Sequence, residues 1–241
     1  MQTLKMWQEE SWICRLFSAE RMLAIAALWF LSGEVSVMAQ QRPPKLLEIY
    51  REPLKQGSEA AYRAIEEDTA RITAEFNFPH PHLAIETVAA PKEVWWLHGW
   101  ESDSERQQVS DEFTKNRPMA KAMERNSRRK QKLTKRPTDI FLNYRADLSR
   151  GESWRLAGAR FIVVTMTKRD SLLRGSVFEA PDGTRFVVCA VHTYQEADAL
   201  RVAAGSETRI FAVRPYWGMP AKEWIAADRE FWKANPIARI R

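Results

Sequence analysis

Residues 82–101, HLAIETVAAPKEVWWLHGWE, decide the fold. Two largely apolar runs, 82–90 and 93–101, flank the tight-turn pair Pro91-Lys92 and read as an antiparallel hairpin. Upstream, 45–54 (KLLEIYREPL) reads as a strand ended by Pro53 and Gly57. Ser58 is the expected cap of a helix in which Ala60, Ala61, Ile65, Ala70, Ile72 and Phe76 recur at near-helical spacing. That helix stops before Pro79. Downstream, Asp103 or Ser104 is the expected cap of a second helix, with Glu105 in its first turn. Pro118 predicts an interruption in it, and its far end is basic through Arg136. Residues 138–147 (TDIFLNYRAD) read as a fourth strand. The order βαββαβ is a ferredoxin-like unit, and right-handed crossovers put both helices on one face of its sheet.

The rest of the chain reads as a reduced copy. Strands are expected at 160–168, 176–180, 184–193 and 208–217, with Pro181-Asp182-Gly183 as a hairpin turn. Residues 194–204 (YQEADALRVAA) read as a helix ended by Gly205, but only 169–175 stand where the first helix should be. A terminal helix is expected at 222–234, with Trp224, Ala227, Phe231 and Ala234 on one face. Locally, 97–105 (LHGWESDSE) aligns over 188–196 (VCAVHTYQE), each a strand running into a helix with an acidic opening. The bridge 148–159, with Gly151, Ser153 and Gly158, is the expected boundary. The fold class is therefore α+β: two tandem ferredoxin-like units, the second degenerate, whose antiparallel sheets pair as a barrel.

At the N-terminal end, the apolar run 23–31 (LAIAALWFL) follows Arg15 and Arg21 and precedes Gly33 and Val37-Met38-Ala39. That is the pattern of a secretory signal cut after Ala39. The run is too short for a span, which needs about 20 apolar residues, and Glu34 would lie inside any longer one. Glu9, Glu10 and Glu20 are unusual for the basic end of a signal, so Met6 is a second candidate start. The expected organisation is 1–39 signal, 40–150 first unit and 151–241 second unit, in a periplasmic or secreted protein with no stable membrane insertion after the cut.

Composition excludes several classes. With 45% hydrophobic and 28% charged residues the 241-residue chain can bury a core. Lys plus Arg exceeds Asp plus Glu by 37 to 31, a mild surplus of +6 that rises to +7 over the 202 residues after Ala39. Of two cysteines Cys14 leaves with the signal, so Cys189 has no intrachain partner and reads as a small core residue in VVCAV. No phosphate loop, dinucleotide fingerprint, Gly-x-Ser-x-Gly elbow or haem-attachment motif occurs. His80-Pro81-His82 lacks a marked third ligand, so no metal is expected. The run Arg125, Arg128, Arg129, Lys130, Lys132, Lys135 and Arg136 has no interleaved aromatics; it reads as a solvated helix end, not a nucleic-acid surface.

Two local features carry a family resemblance. Glu48-Ile49-Tyr50-Arg51 with Lys55-Gln56-Gly57, and 93–102 (EVWWLHGWES), are similar to NIPSNAP-type and antibiotic-biosynthesis-monooxygenase-type units of the dimeric α+β barrel superfamily. The first half resembles these in motif and topology, the second in topology alone. The resemblance implies two sheets closing a barrel, within one chain or across a homodimer. The family includes cofactor-less monooxygenases, haem-degrading enzymes, lactone isomerases and members without known activity, so it implies a fold more firmly than a reaction.

Alternation sorts the strand side chains. Leu47, Ile49, Leu83, Ile85 and Leu97 are assigned to the helix side, because helices need an apolar partner surface. Glu48, Tyr50, Glu86, Trp96, His98 and Trp100 would then line the barrel interior. There His98 is the candidate base, Glu48 or Glu86 its orienter, and Tyr50, Trp96 and Trp100 the walls of a site for a small apolar or aromatic molecule. No cofactor is expected. The alternative is a non-catalytic structural or interaction protein with a filled interior, Glu48 and Glu86 paired, and His98 a core residue.

Overall fold

The computed structural model describes residues 42–151, 154–168, 174–204 and 207–240; the expected signal, 1–39, lies outside the described residues. The first unit runs β1 (Leu46–Pro53), α1 (Glu59–Glu75), β2 (His82–Thr87), β3 (Glu93–Trp100), α2 (Asp103–Lys115), α3 (Arg117–Lys130) and β4 (Thr138–Tyr144). The second runs β5 (Phe161–Thr167), β6 (Ser176–Glu179), β7 (Arg185–Val191), α4 (Tyr194–Ala204) and β8 (Thr208–Val213). Short helices α5 (Lys222–Ala227), α6 (Arg229–Trp232) and α7 (Pro236–Ile240) follow.

The eight strands close one antiparallel barrel in the order β1-β3-β2-β8-β5-β7-β6-β4. Each half repeats the ferredoxin-like order, β4-β1-β3-β2 and β8-β5-β7-β6. Edge strand β2 pairs with β8, and β4 with β6, so one chain supplies both halves and leaves no free sheet edge.

Local chemistry sets the element ends. The helix expected to break at Pro118 breaks just before it: Asn116 ends α2, and its side chain accepts the Met119 N–H at 3.2 Å to cap α3. The α2 cap is Ser102, one residue earlier than expected. It accepts the Glu105 N–H, while Glu105 accepts the N–H of Glu101, the residue before the cap. At the start of α4 Thr193 and Glu196 form a reciprocal capping box, and Glu196 also accepts the His192 N–H, the counterpart of the Glu101 bond in the locally aligned first unit. Ser58 makes no cap bond; its hydroxyl hydrogen-bonds the carbonyls of Lys55 and Leu133 and ties the β1–α1 turn to the segment after α3. The expected terminal helix breaks at Asp228, whose side chain accepts the Phe231 N–H. Asn235, fully buried, hydrogen-bonds the carbonyls of Pro215, Trp217 and Gly218, and the C-terminal segment packs against α1.

The expected face assignment is reversed. On β1 and β3 the even-numbered side chains meet the helices: Tyr62 of α1 donates to Glu52, and Lys130 of α3 bonds Glu52 beside Trp96. The odd-numbered set faces inward. Register carries Leu97 to Leu83, Trp95 to Ile85, Ile85 to Val213 and Ile162 to Phe211 around the barrel. Leu47, Ile49, Leu83, Ile85, Trp95, Leu97, Leu142, Phe178 and Phe211 are all buried in that core. The reason is that a closed barrel buries both faces of its sheet. The interior takes the aliphatic set and, of charged groups, the self-satisfied cluster of Glu93 with Arg51, Arg209 and Trp95 Nε1, whereas the helix layer carries hydroxyl, ammonium and carboxylate groups that satisfy the polar set of the other face.

Candidate functional site

All six residues singled out from the sequence lie on one face, as expected, but between the sheet and the helices rather than inside the barrel. Strand register arranges that face in rows. Glu52, Val94 and Glu86 form one row, Tyr50, Trp96 and Ala84 the next, then Glu48, His98 and His82, and finally Leu46 and Trp100. Glu48 and His98 are therefore cross-strand neighbours. Glu86 stands two rows away, roughly 13 Å along the strand, and cannot orient His98. It is held instead by Arg214, whose Nε lies 2.6 Å from its carboxylate.

The Glu48 row is densely packed, with Glu48 and His98 buried and His82 half-buried. Trp100 Nε1 donates to Glu48 at 3.1 Å. His80 stacks on Trp100 with centroids 3.8 Å apart, and His82 stacks on His98 at 4.8 Å. Burial, with the neighbouring charges of His82 and His80, drives the His98 imidazole well below its usual range. Burial takes His82 to about 4; burial and His82 take His80 to about 3. All three rings are thus neutral and feebly basic at neutral pH. Glu48 moves the other way, to about 7, chiefly through burial and then through Asp139, against the opposing effects of Arg106 and the Trp100 bond. Of the expected pair, the carboxyl and not the imidazole is tuned near neutrality. Near-parallel stacking points the ring lone pairs along separate planes, and no group of three His, Cys, Asp or Glu among the described residues could hold a metal ion.

Beside this row lies a polar network that the sequence reading missed. Glu52 Oε2 accepts from Tyr62 Oη at 2.6 Å, Trp96 Nε1 at 2.8 Å and Lys130 Nζ at 3.1 Å. Lys130 also pairs with Glu66 at 2.7 Å. Burial alone would lower the Lys130 pKa, but Glu52 and Glu66 outweigh it and hold the ammonium above its usual range. Burial raises Glu66 to about 7 even so. The one sequence signal was Glu66 amid the apolar face of α1, four residues after Tyr62 and next to Ile65. Lys130 was read as part of a solvated run; it alone of that run is buried, because it ends α3 over Tyr62 and Trp96.

Among the described residues, the second unit is open where the first is covered. Only eight residues join Thr167 of β5 to Ser176 of β6, against a 17-residue helix at that place in the first unit. The outer face of β7 is therefore left to α4 and the bridge before β5. Among the described residues they border a groove of about 700 Å³, floored by Cys189 and Val191 and walled by Ala157–Ala159, Ala199 and Leu200. Arg155, Arg174, His192 and Glu196 also line it. Its floor matches the closed site of the first unit, since Cys189 aligns with His98 and Val191 with Trp100. Burial raises the Cys189 thiol, with Arg174 opposing and Glu196 adding, so the sulfur is protonated and inert at neutral pH. His192 Nδ1 lies 2.9 Å from the Gly158 carbonyl; a carbonyl only accepts, so Nδ1 donates in that bond.

Fold and site together define an intrachain α+β barrel of two ferredoxin-like units. No family model matches the sequence, and no curated protein does. Similar solved structures include a provisionally assigned monooxygenase from Fusobacterium nucleatum, 11% identical, covering 70% of this chain and 91% of its own with a TM-score of 0.48. A provisionally assigned monooxygenase from Lactobacillus acidophilus is 7% identical, covers 70% and 92%, and has a TM-score of 0.39. A provisionally assigned chlorite dismutase is 13% identical, covers 76% and 98%, and also has a TM-score of 0.39. Among the described residues no helix is long and apolar enough to cross a membrane.

Proposed function

We propose that this chain is a small-molecule-binding α+β barrel whose ligand site is the groove over β7. The observation that carries the reading is the groove itself: its volume of about 700 Å³ is that of a small-molecule site, and it has an apolar floor with polar groups at the rim. The barrel interior and the covered first unit, filled by side chains, serve as scaffold. Native mass spectrometry of the gently purified protein tests this. A ligand mass that vanishes on denaturation, and is missing from Ala199→Trp, supports the reading. Retention unchanged in that variant overturns it.

A second reading keeps acid–base chemistry in the first unit, in cofactor-less oxidation or isomerisation of an apolar or aromatic compound. It is favoured by Glu48, with a pKa of about 7 among Trp100, His98 and Tyr50. In it Glu48, not His98, is the base, Trp96 and Trp100 are walls, and Glu86 has no part. Turnover of such a compound that survives Glu48→Gln would overturn it. We also infer export, with cleavage after Ala39; N-terminal sequencing of protein made in an exporting host checks this, and an uncut N-terminus would refute it.

A further inference from the structure

Residues 115–136 hold ten lysines and arginines against Glu124 alone, a net +9 in a chain whose total is +6, so everything else sums to −3. Lys130 turns inward to Glu52 and Glu66. The other nine cations are exposed. Arg128 pairs with Glu124 and Arg129 with Asp68 of α1; among the described residues no ion pair holds the remaining seven. Arg117, Lys121, Arg125 and Arg128 follow one another by four, four and three residues. At 3.6 residues per turn that keeps them within about 80° of arc, over about 17 Å of α3. The opposite side of α3 carries the buried Met119, Asn126 and Lys130. Lys132, Lys135 and Arg136 extend this basic ridge past the end of the helix.

Helix electrostatics accounts for only part of the ridge. The macrodipole favours cations in the last turn, where Arg128 and Arg129 stand, and its effect falls off within a turn. It opposes Arg117 at the first helical position, where no acidic residue of the first turn offsets it, and it does not reach Lys121 or Arg125. Those three are also like charges four apart, a spacing that destabilises a helix. The ridge therefore works against the stability of its own helix, and an outside anion relieves it.

We propose that α3 docks the protein on an anionic phospholipid bilayer, with the ridge against the headgroups. This stands on the ridge and is independent of the groove over β7. Charges on long flexible stems, with no fixed acceptor, suit headgroups that diffuse to meet them. Clusters of roughly four to eight Lys or Arg on a helix face have the pattern that binds such lipids, each cation contributing about fivefold. No aromatic side chain stands in 115–136 to stack a base, which disfavours single-stranded nucleic acid. No large apolar side chain is exposed there either, so the contact is electrostatic and stops at the headgroups.

Co-sedimentation of the purified protein with vesicles tests this, comparing phosphatidylcholine alone with phosphatidylcholine containing about 30% phosphatidylglycerol. Partitioning should be at least about tenfold stronger on the anionic vesicles, and should fall about tenfold or more between roughly 50 and 300 mM salt. Combining Arg117→Gln, Lys121→Gln and Arg125→Gln should lower it by about twentyfold or more at low salt. The urea midpoint of that variant should hold or rise, because like-charge repulsion is removed with the cations. Combining Arg150→Gln, Lys168→Gln and Arg201→Gln removes the same charge from exposed positions in the bridge and the second unit. That control should lower partitioning by less than about threefold, since charges beyond a screening length contribute little. Equal partitioning on neutral vesicles, equal losses in the two triple variants, or no vesicle binding at low salt overturns the assignment. Binding to a mixed-sequence DNA duplex that the ridge variant abolishes, while its vesicle binding persists, makes nucleic acid the partner and overturns it as well.

Discussion

Replacing Lys130 with Met should unfold the protein far more readily than any surface lysine change. Among the described residues Lys130 Nζ is the only cation between Glu52 and Glu66, at 3.1 and 2.7 Å, and the side chains of all three are less than a tenth exposed. Removing it strands two buried carboxylates beside each other. Breaking a buried pair in this way costs about 3–5 kcal/mol. For a chain of this size that lowers Tm by roughly 6–20 °C, at about 2–4 °C per kcal/mol. Urea unfolding followed by tryptophan fluorescence measures it directly, since Trp96 donates to the same carboxylate. The slope against urea should hold while the midpoint falls. The sign with pH is definite. Glu66 already has a folded pKa of about 7, above its unfolded value, and loses its counterion. Stability of the variant is therefore retained below the unfolded carboxylate range and lost as pH rises through the raised folded value. Adding Glu52→Gln and Glu66→Gln to Lys130→Met should recover more than half of the loss, because neutral amides need no cation. A loss below about 1 kcal/mol that is flat with pH would refute the argument, since it would mean that water reaches the network.

Glu48→Gln tests the other raised carboxyl. Glu48 stabilises the fold below its unfolded value of 4.5 and loses that contribution as pH rises through about 7, so the variant should gain on the wild type by up to about 3 kcal/mol across that window; a difference that does not change with pH would contradict this. Asn235→Ala should cost roughly 2–3 kcal/mol, read in the same urea assay, because three carbonyls lose their donor in a fully buried position. Alkylation of Cys189 by iodoacetamide at pH 7 should run about tenfold or more slower than that of free cysteine, and slower again in Arg174→Gln, which removes the charge that favours the thiolate. Acceleration in that variant would show that Arg174 does not act on the thiol.

Much of the architecture was legible in the chain itself. The hairpin around Pro91-Lys92, the turn at 181–183, the break before Pro118 and the paired openings 97–105 and 188–196 are local signals, and local signals survive folding because they depend on residues a few positions apart. They determined the order of elements, the two related units and the shortened second one. Alternation also sorted the side chains correctly into two sets. It could not say which set faces inward, because that depends on what covers each face, and the covering groups come from distant positions: Tyr62 and Lys130 over one face, Phe211 and Phe178 in the other. Tertiary structure therefore decided that Leu47, Ile49, Leu83, Ile85 and Leu97 fill the barrel while Glu48, His98 and Trp100 lie under the helices. It also placed the groove described above in the second unit. The short link between β5 and β6 is visible in the sequence, but the groove over β7 exists only once β7, α4 and the bridge before β5 are brought together. Burial and charge act through space, and a sequence read along its length carries them only where neighbours in the chain are also neighbours in the fold.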